Sequence, residues 1–397
     1  MTFTLPVDQV DAIRLEALKA GAVREGRLLD YKETLPGGSD DEKREFLSDI
    51  TSFANAAGGD LIFGIRDRRE EGKATAEIDT IVGLPGLNVD AERLRLDAII
   101  RDGVAPRMPP VTFHEIKRDP APPCLLLRVS RSWAGLHMVT FKNLSRFYGR
   151  TSGGKYQLDV HEIRAGFIAA ETAYDRLRRF RAERIAQVLA LETPAPTAEG
   201  PKVILHLLPI DPGDGVWPRV LSLQEHEIIN AVPVIGGTPA TWRFNLDGFV
   251  IHTLRDDLSR QCYTQVFRPG GLEAVSGGLL VRDESRGGFY AWGMEERIIA
   301  ALDRYRQFWG RIAVTPPLLI GLTLSGVKGW KVLRGPYDYN DLDSALDRDV
   351  VTPPEVILPD FATPSDVLLR PLFDFIWNGG GWPGSPNYRD GKWVKPR

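Results

Sequence analysis

The chain has 397 residues, enough for two or three domains with cores of their own, and its 43% apolar and 26% charged residues are ordinary for a soluble globular protein. A formal net charge of −3 does not single out a polyanionic partner. The two cysteines, Cys124 and Cys262, form no CxxC pair, which excludes a cysteine-built zinc site and fits a reducing compartment. The N-terminal stretch MTFTLPVDQV lacks a basic region followed by an apolar core, and the apolar runs are too short to span a bilayer. A cytoplasmic protein without a membrane partner is expected.

In chain order, residues 7–20 predict a helix, with Val10, Ile13, Ala17 and Leu18 near helical spacing and Gly21 as its stop. Residues 28–34 read as a strand. SDDE at 39–42 matches a capping box, with Ser39 capping a helix and Glu42 reaching back. That helix carries Phe46, Leu47, Ile50, Phe53, Ala54 and Ala57 on one stripe and ends at Gly58–Gly59. DLIFGIRD (60–67) predicts a central apolar strand, and RREEGKATAE (68–77) an exposed hairpin or loop. A helix follows at 90–101, then paired strands at 111–117 and 124–130, a strand at 143–150 with a turn at TSGGK, and a long helix over 159–190.

This order predicts an α+β class with a mixed α/β sheet. The first domain is expected at 1–190. ETPAPTAEGP lies within an interdomain linker at 191–201, and a second α+β domain, for recognition or dimerisation, fills 202–397. The second domain shows strands near VILHLLPI and PLLIGLTLSGV and a helix at 293–312, which Glu295 and Glu296 open where negative charge suits the dipole. The last forty or so residues look irregular. Trp382 and Trp393 there stand between basic residues and could dock on a partner or a second subunit.

Charge is distributed unevenly. Residues 1–100 carry 13 Lys/Arg against 20 Asp/Glu, while residues 101–184 carry 16 against 8. Within the acidic part, EGRLLDYKET (25–34) raises a question of chemistry. Side chains on a strand alternate, so Asp30 and Lys32 share one face and Tyr31 and Glu33 the other. Asp67 closes the run 60–67, and strand ends are where α/β sheets expose functional groups. If the two strands are neighbours, Asp30 and Asp67 converge, and Glu25 can fold back from the preceding turn. Three such carboxylates raise one another's pKa unless a cation joins them, and a hard divalent ion, Mg²⁺ or Mn²⁺, is the natural resident. The plainer alternative is three carboxylates near turns with no shared role.

EGRLLDYKETL, FLSDITSFANAAGGDLIFGIRD and FYGRTSG together resemble the Schlafen-type AlbA-like domain, over roughly residues 7–165. The resemblance implies a nucleic-acid-binding fold. In the members that cleave RNA, it implies a metal-dependent endoribonuclease centre built from three acids. Carried over by motif position, these are Glu25, Asp30 and Asp67, with Lys32 as the motif lysine. Asp30 departs from the family, which usually has Glu there. RNA is then favoured over DNA, structured RNA such as tRNA is the expected substrate, and a stress or antiviral role fits. The alternative is a non-catalytic DNA- or RNA-binding, or nucleotide-binding, regulatory protein.

Lys142, Arg146 and Arg150 are candidate nucleic-acid contacts, the last two alternating with aromatic residues. An ion pair within the sheet is the competing reading for Arg146 and Arg150. Asn55, Gly58 and Gly59 could offer amides to phosphate, but a helix stop is favoured. The arginines of DRLRRFRAERI (175–185) fit a solvated helix face or an RNA contact. No GxxxxGK[ST] occurs, which disfavours a P-loop ATPase, and His114, His137 and His161 have no metal spacing and no Ser or Cys partner for a hydrolase triad.

Overall fold

The computed structural model describes residues 7–70, 73–133, 135–211, 216–223, 227–228, 231–312, 314–335 and 342–396. It has an α+β architecture of two compact units, 1–173 and 174–397.

The first unit begins with helix α1 (Ala12–Ala20), capped by the Asp11 carboxylate on Arg14 N. Strand β1 (Leu29–Lys32) leads to helix α2 (Asp40–Asn55), whose first turn is closed by the reciprocal Ser39–Glu42 capping box. Helix α2 stops at Gly58, whose φ of +73° is the left-handed conformation glycine tolerates. The next residue, Gly59, has no room for a side chain, because a Cβ there would meet the Phe53 ring at 2.3 Å.

Strand β2 (Gly59–Phe63) is wholly buried and runs parallel to β1, with Asp30 opposite Leu61. The expected single strand over 60–67 is divided. Gly64, at φ +95°, breaks it, and the chain leaves the sheet as β3 (Ile65–Glu70), which pairs antiparallel with β4 (Lys73–Ile81). Glu71 and Gly72, part of the segment read as a hairpin or loop, lie outside the described residues.

Helix α3 (Val89–Gly103) and strands β5 (Val104–Ala105), β6 (Thr112–Arg118), β7 (Ala121–Val129), β8 (Met138–Val139), β9 (Arg146–Thr151) and β10 (Gly154–Gln157) follow. Helix α4 (Val160–Leu189) begins in the first unit and continues into the second. One sheet has the order β1-β2-β7-β6 and a second the order β10-β9-β8-β5. The first sheet is covered on both faces. Phe46, Leu47, Ile50 and Phe53 of α2 pack with Leu61, Leu125 and Leu127, while Leu15 and Leu18 of α1 pack with Tyr31, Ile62 and Leu126 on the other side. Two-sided burial explains why β2 reads as a continuous apolar run.

In the second unit, strands Lys202–Pro209, Leu272–Ser276, Cys262–Phe267 and Leu318–Ser325 lie at the centre of a seven-stranded sheet. Helices Ala291–Ile312 and Ser365–Gly379 contribute to its main core. The second of these helices corrects the reading of the C-terminal region as irregular. Leu368, Leu369, Leu372, Phe373 and Ile376 form a buried helical stripe that carries the helix through Pro371. Glu295 does more than favour a helix dipole. It is buried and accepts from Trp377 Nε1 (2.6 Å), Asn387 Nδ2 (2.7 Å) and Trp393 Nε1 (2.7 Å), which anchors the C-terminal segment. Trp393 is held within its own unit by this bond, and Trp382 by donating to Val332 O. Residues 191–201 are also tied down, with Ala195 fully buried and Ala198 N bonded to Leu258 O.

Candidate functional site

Alternation along β1 sorts its side chains. Leu29 and Tyr31 enter the core under α1, while Asp30 and Lys32 turn toward α2. Asp30 is almost inaccessible, and both its oxygens are engaged. Arg150 Nη2 donates to Oδ2 at 2.6 Å and Lys32 Nζ to Oδ1 at 3.2 Å. Arg150 also donates from Nε to Gly26 O at 2.9 Å and lies with its guanidinium carbon 4.3 Å over the Phe53 ring. Lys32 continues to Asp49 Oδ2 of α2 at 3.5 Å, and Lys155 of β10 reaches Asp49 Oδ1 at 2.8 Å and Glu45 Oε1 at 2.5 Å. Arg150, Asp30, Lys32, Asp49, Lys155 and Glu45 thus form a chain of alternating charge.

Glu25 joins this chain at Asp30. Its Oε1 accepts Tyr31 N at 2.7 Å. Its carboxyl is pushed up to about 8 by burial, by the charge of Asp30 and by the hydrogen bond the two share, with Asp67 adding to the rise. Glu25 therefore holds a proton near neutral pH and donates it toward Asp30. Asp30 itself lies below the ordinary carboxylate range. Burial opposes this, but Lys32, Arg150 and the bond from Glu25 outweigh it. Asp49 is raised by burial and by Asp30, with Lys32 and Lys155 pulling the other way. Burial lowers the Lys32 ammonium, but Asp49, Asp30 and Glu25 outweigh it and hold the group well above its usual range.

The structure therefore brings Glu25, Asp30 and Lys32 into direct contact, with Asp67 near enough to act on Glu25 and Tyr31 electrostatically. Asp67 arrives by a different route from the one expected. It sits on β3, opposite Ile78 of β4, and Glu25 N is bonded to Ala76 O of the same strand. The premise that these acids are too costly without a divalent ion is also changed, because Arg150, Lys32 and a proton on Glu25 already compensate them. Among the described residues, no three His, Cys, Asp or Glu side chains form a group that could hold a metal. An ion at Asp30 would have to displace two cations already in place.

The three candidate nucleic-acid contacts separate. Arg150, with its side chain only 2% exposed, is committed to Asp30 and Gly26. Lys142 is exposed and paired with Asp40. Arg146 is exposed on β9 and makes no ion pair among the described residues. Asn55 is a stitch: its Nδ2 donates to His137 O and Tyr148 O, and its Oδ1 accepts His137 N.

Asp49 and Lys155 were not singled out from the sequence. A signal was present for Asp49, a carboxylate three residues after Phe46 and four before Phe53 on the apolar stripe of α2. Beside the network, Lys32, Leu35, Glu45, Phe46, Asp49 and Phe63 line part of a cleft of about 390 Å³ at the carboxyl ends of β1 and β2, where open α/β sheets place their ligands.

Residues 25–159 match the family model described as Schlafen, AlbA_2. This match lies within the first unit and is consistent with a Schlafen-type AlbA-like domain there. Of the solved structures, the DIP2311 protein from Corynebacterium diphtheriae is similar at 20% identity, over 37% of this chain and 26% of that one, with a TM-score of 0.25. The N-terminal domain of a RecG-related protein from Nitrosomonas europaea is similar at 18% identity, over 30% of this chain and 71% of that one, with a TM-score of 0.23. The chain thus spans about a quarter of the Corynebacterium protein. No curated protein matches it. The Schlafen AlbA_2 match begins at Glu25 and encloses Asp30, Lys32, Asp49, Asp67, Arg150 and Lys155.

Proposed function

We propose that the Schlafen AlbA_2 domain binds nucleic acid through its phosphate backbone. The observation that carries this reading is the family match over residues 25–159, which supports a nucleic-acid-binding role. Nucleic-acid binding through phosphates releases counterions, so affinity must fall as salt rises. The test is fluorescence anisotropy of the full chain with labelled RNA and DNA of the same sequence over a salt series. No binding to either at low salt overturns the reading.

A second reading, a metal-dependent endoribonuclease on structured RNA such as tRNA, is favoured by one specific observation. Glu25, one of the three acids the family resemblance names, feels the charges of the other two, Asp30 and Asp67. Within this reading, Lys32 balances charge and the raised Glu25 carboxyl is a group able to give or take a proton near neutral pH. Incubation of total tRNA with the chain in Mg²⁺, in Mn²⁺ and in EDTA, beside Asp67→Ala, decides between the two. Metal-dependent cleavage lost in the variant supports the nuclease. Binding without cleavage under every condition leaves the binding module.

A further inference from the structure

We infer that Arg24 and Arg68, held together on the single carboxylate of Glu77, form a phosphodiester clamp that grips the backbone of the nucleic acid; this rests on the binding reading above. Arg24 Nε and Nη2 each lie 2.8 Å from Glu77 Oε1, and Arg68 Nη1 lies 3.5 Å from Oε2. One anion thus orients two guanidinium groups and neutralises only one of them. Both arginines remain open to solvent, at 71% and 55% side-chain exposure, while Glu77 is at 15%. A guanidinium carries five donors, so each retains N–H groups for an incoming phosphate oxygen.

The surrounding backbone fixes the pair. Glu25 N donates to Ala76 O, which ties the Arg24–Glu25 segment to β4 one residue from Glu77. Thr75 Oγ1 donates to Arg68 O across the β3–β4 pair. The β3–β4 register shifts on both sides of Asp67. Arg24 immediately precedes Glu25 and Arg68 immediately follows Asp67, so the clamp borders the acidic site in sequence at two points. Arg66 differs from its neighbours: it is matched one-to-one by Glu33 at 2.6 Å and carries no surplus charge.

The test uses the full chain and 5′-labelled single-stranded RNA and DNA of one sequence, with affinity measured against salt. Arg24→Ala/Arg68→Ala is expected to reduce the slope of log K against log salt by about 1.4, two contacts at about 0.7 each on a single strand, and to weaken binding at low salt about tenfold or more. Arg24→Lys/Arg68→Lys keeps the charges and the slope while losing the forked geometry, so its affinity falls without a change of slope. Equal losses on RNA and DNA assign the contact to phosphate, and a loss confined to RNA overturns that assignment. Circular dichroism confirms that each variant is folded. A folded double-alanine variant with unchanged slope overturns the clamp while the binding reading stands. Absence of binding by the unaltered chain overturns both.

Discussion

Asp30 in the first unit and Glu273 in the second are both buried carboxylates bound by an arginine, yet their surroundings differ in one respect. Glu273 is fully enclosed. Arg184 grips it with two bonds of 2.9 and 2.8 Å, His206 Nε2 lies at 3.0 Å and the Tyr263 hydroxyl donates at 2.9 Å. Burial alone would raise its pKa, but the bonds from Arg184 and His206 hold it down at about 2. One carboxylate and its donors complete the network. Around Asp30, by contrast, Glu25 and Asp49 are close enough to interact with it and Asp67 acts on Glu25, Lys32 is partly open to the cleft, and one carboxyl keeps its proton near neutral pH. A sealed network of this kind fastens α4 to the sheet of the second unit. A network with surplus carboxylates and an opening can exchange protons or cations, which is the property a binding or reacting site needs.

The comparison breaks most visibly at the sealed end. Arg184→Ala leaves Glu273 buried without the guanidinium that grips it and is expected to cost about 3–5 kcal/mol. Denaturant titration measures it, and a cost below that of any first-unit variant contradicts the contrast. Arg150→Ala should cost less, about 2–3 kcal/mol, because Asp30 keeps Lys32 and can share more of the Glu25 proton. Lys155→Ala should cost about 1 kcal/mol, since this end of the charge chain is partly exposed and Asp49 retains Lys32.

How far these networks were legible from sequence follows from what organises each residue. The Ser39–Glu42 capping box, the glycine stop and the alternation that puts Asp30 and Lys32 on one face are local, and each is visible within a few residues. Asp67 was brought near Glu25 both by the strand-end argument and by the family motif, but its route was not foreseen, because Gly64 turns the chain off the sheet before Asp67 is reached. Asp49 and Lys155 meet across 106 positions of sequence (155 minus 49), so periodicity could flag an odd carboxylate on the stripe but not its partner. The Glu295 anchor was hidden for the same reason, since its three donors come from two later segments. The helix Ser365–Gly379 was passed over in a region read as irregular, where its buried apolar stripe carries it through Pro371.

The smallest expected change at neutral pH tests the open network most directly. Glu25 has a folded-state carboxyl raised to about 8 against an ordinary 4.5. Between those values the folded chain binds a proton that the unfolded chain has released, so this group's contribution makes stability fall as pH rises through that window and level off on either side. Asp30, lowered in the folded state, acts with the opposite sign, and its contribution is lost only as pH falls below the ordinary carboxylate range. The two effects therefore occupy different windows. Glutamine at position 25 reproduces the protonated carboxyl: its carbonyl can accept Tyr31 N and its amide can donate to Asp30. Glu25→Gln should consequently change stability at neutral pH by about 0.5 kcal/mol or less, while flattening the decline between about pH 5 and about pH 8. Denaturant midpoints of the two proteins at both ends of that window measure it. Parallel declines in the two would mean that Glu25 ionises as an ordinary carboxylate, and the surplus that distinguishes the first network from the second would not exist.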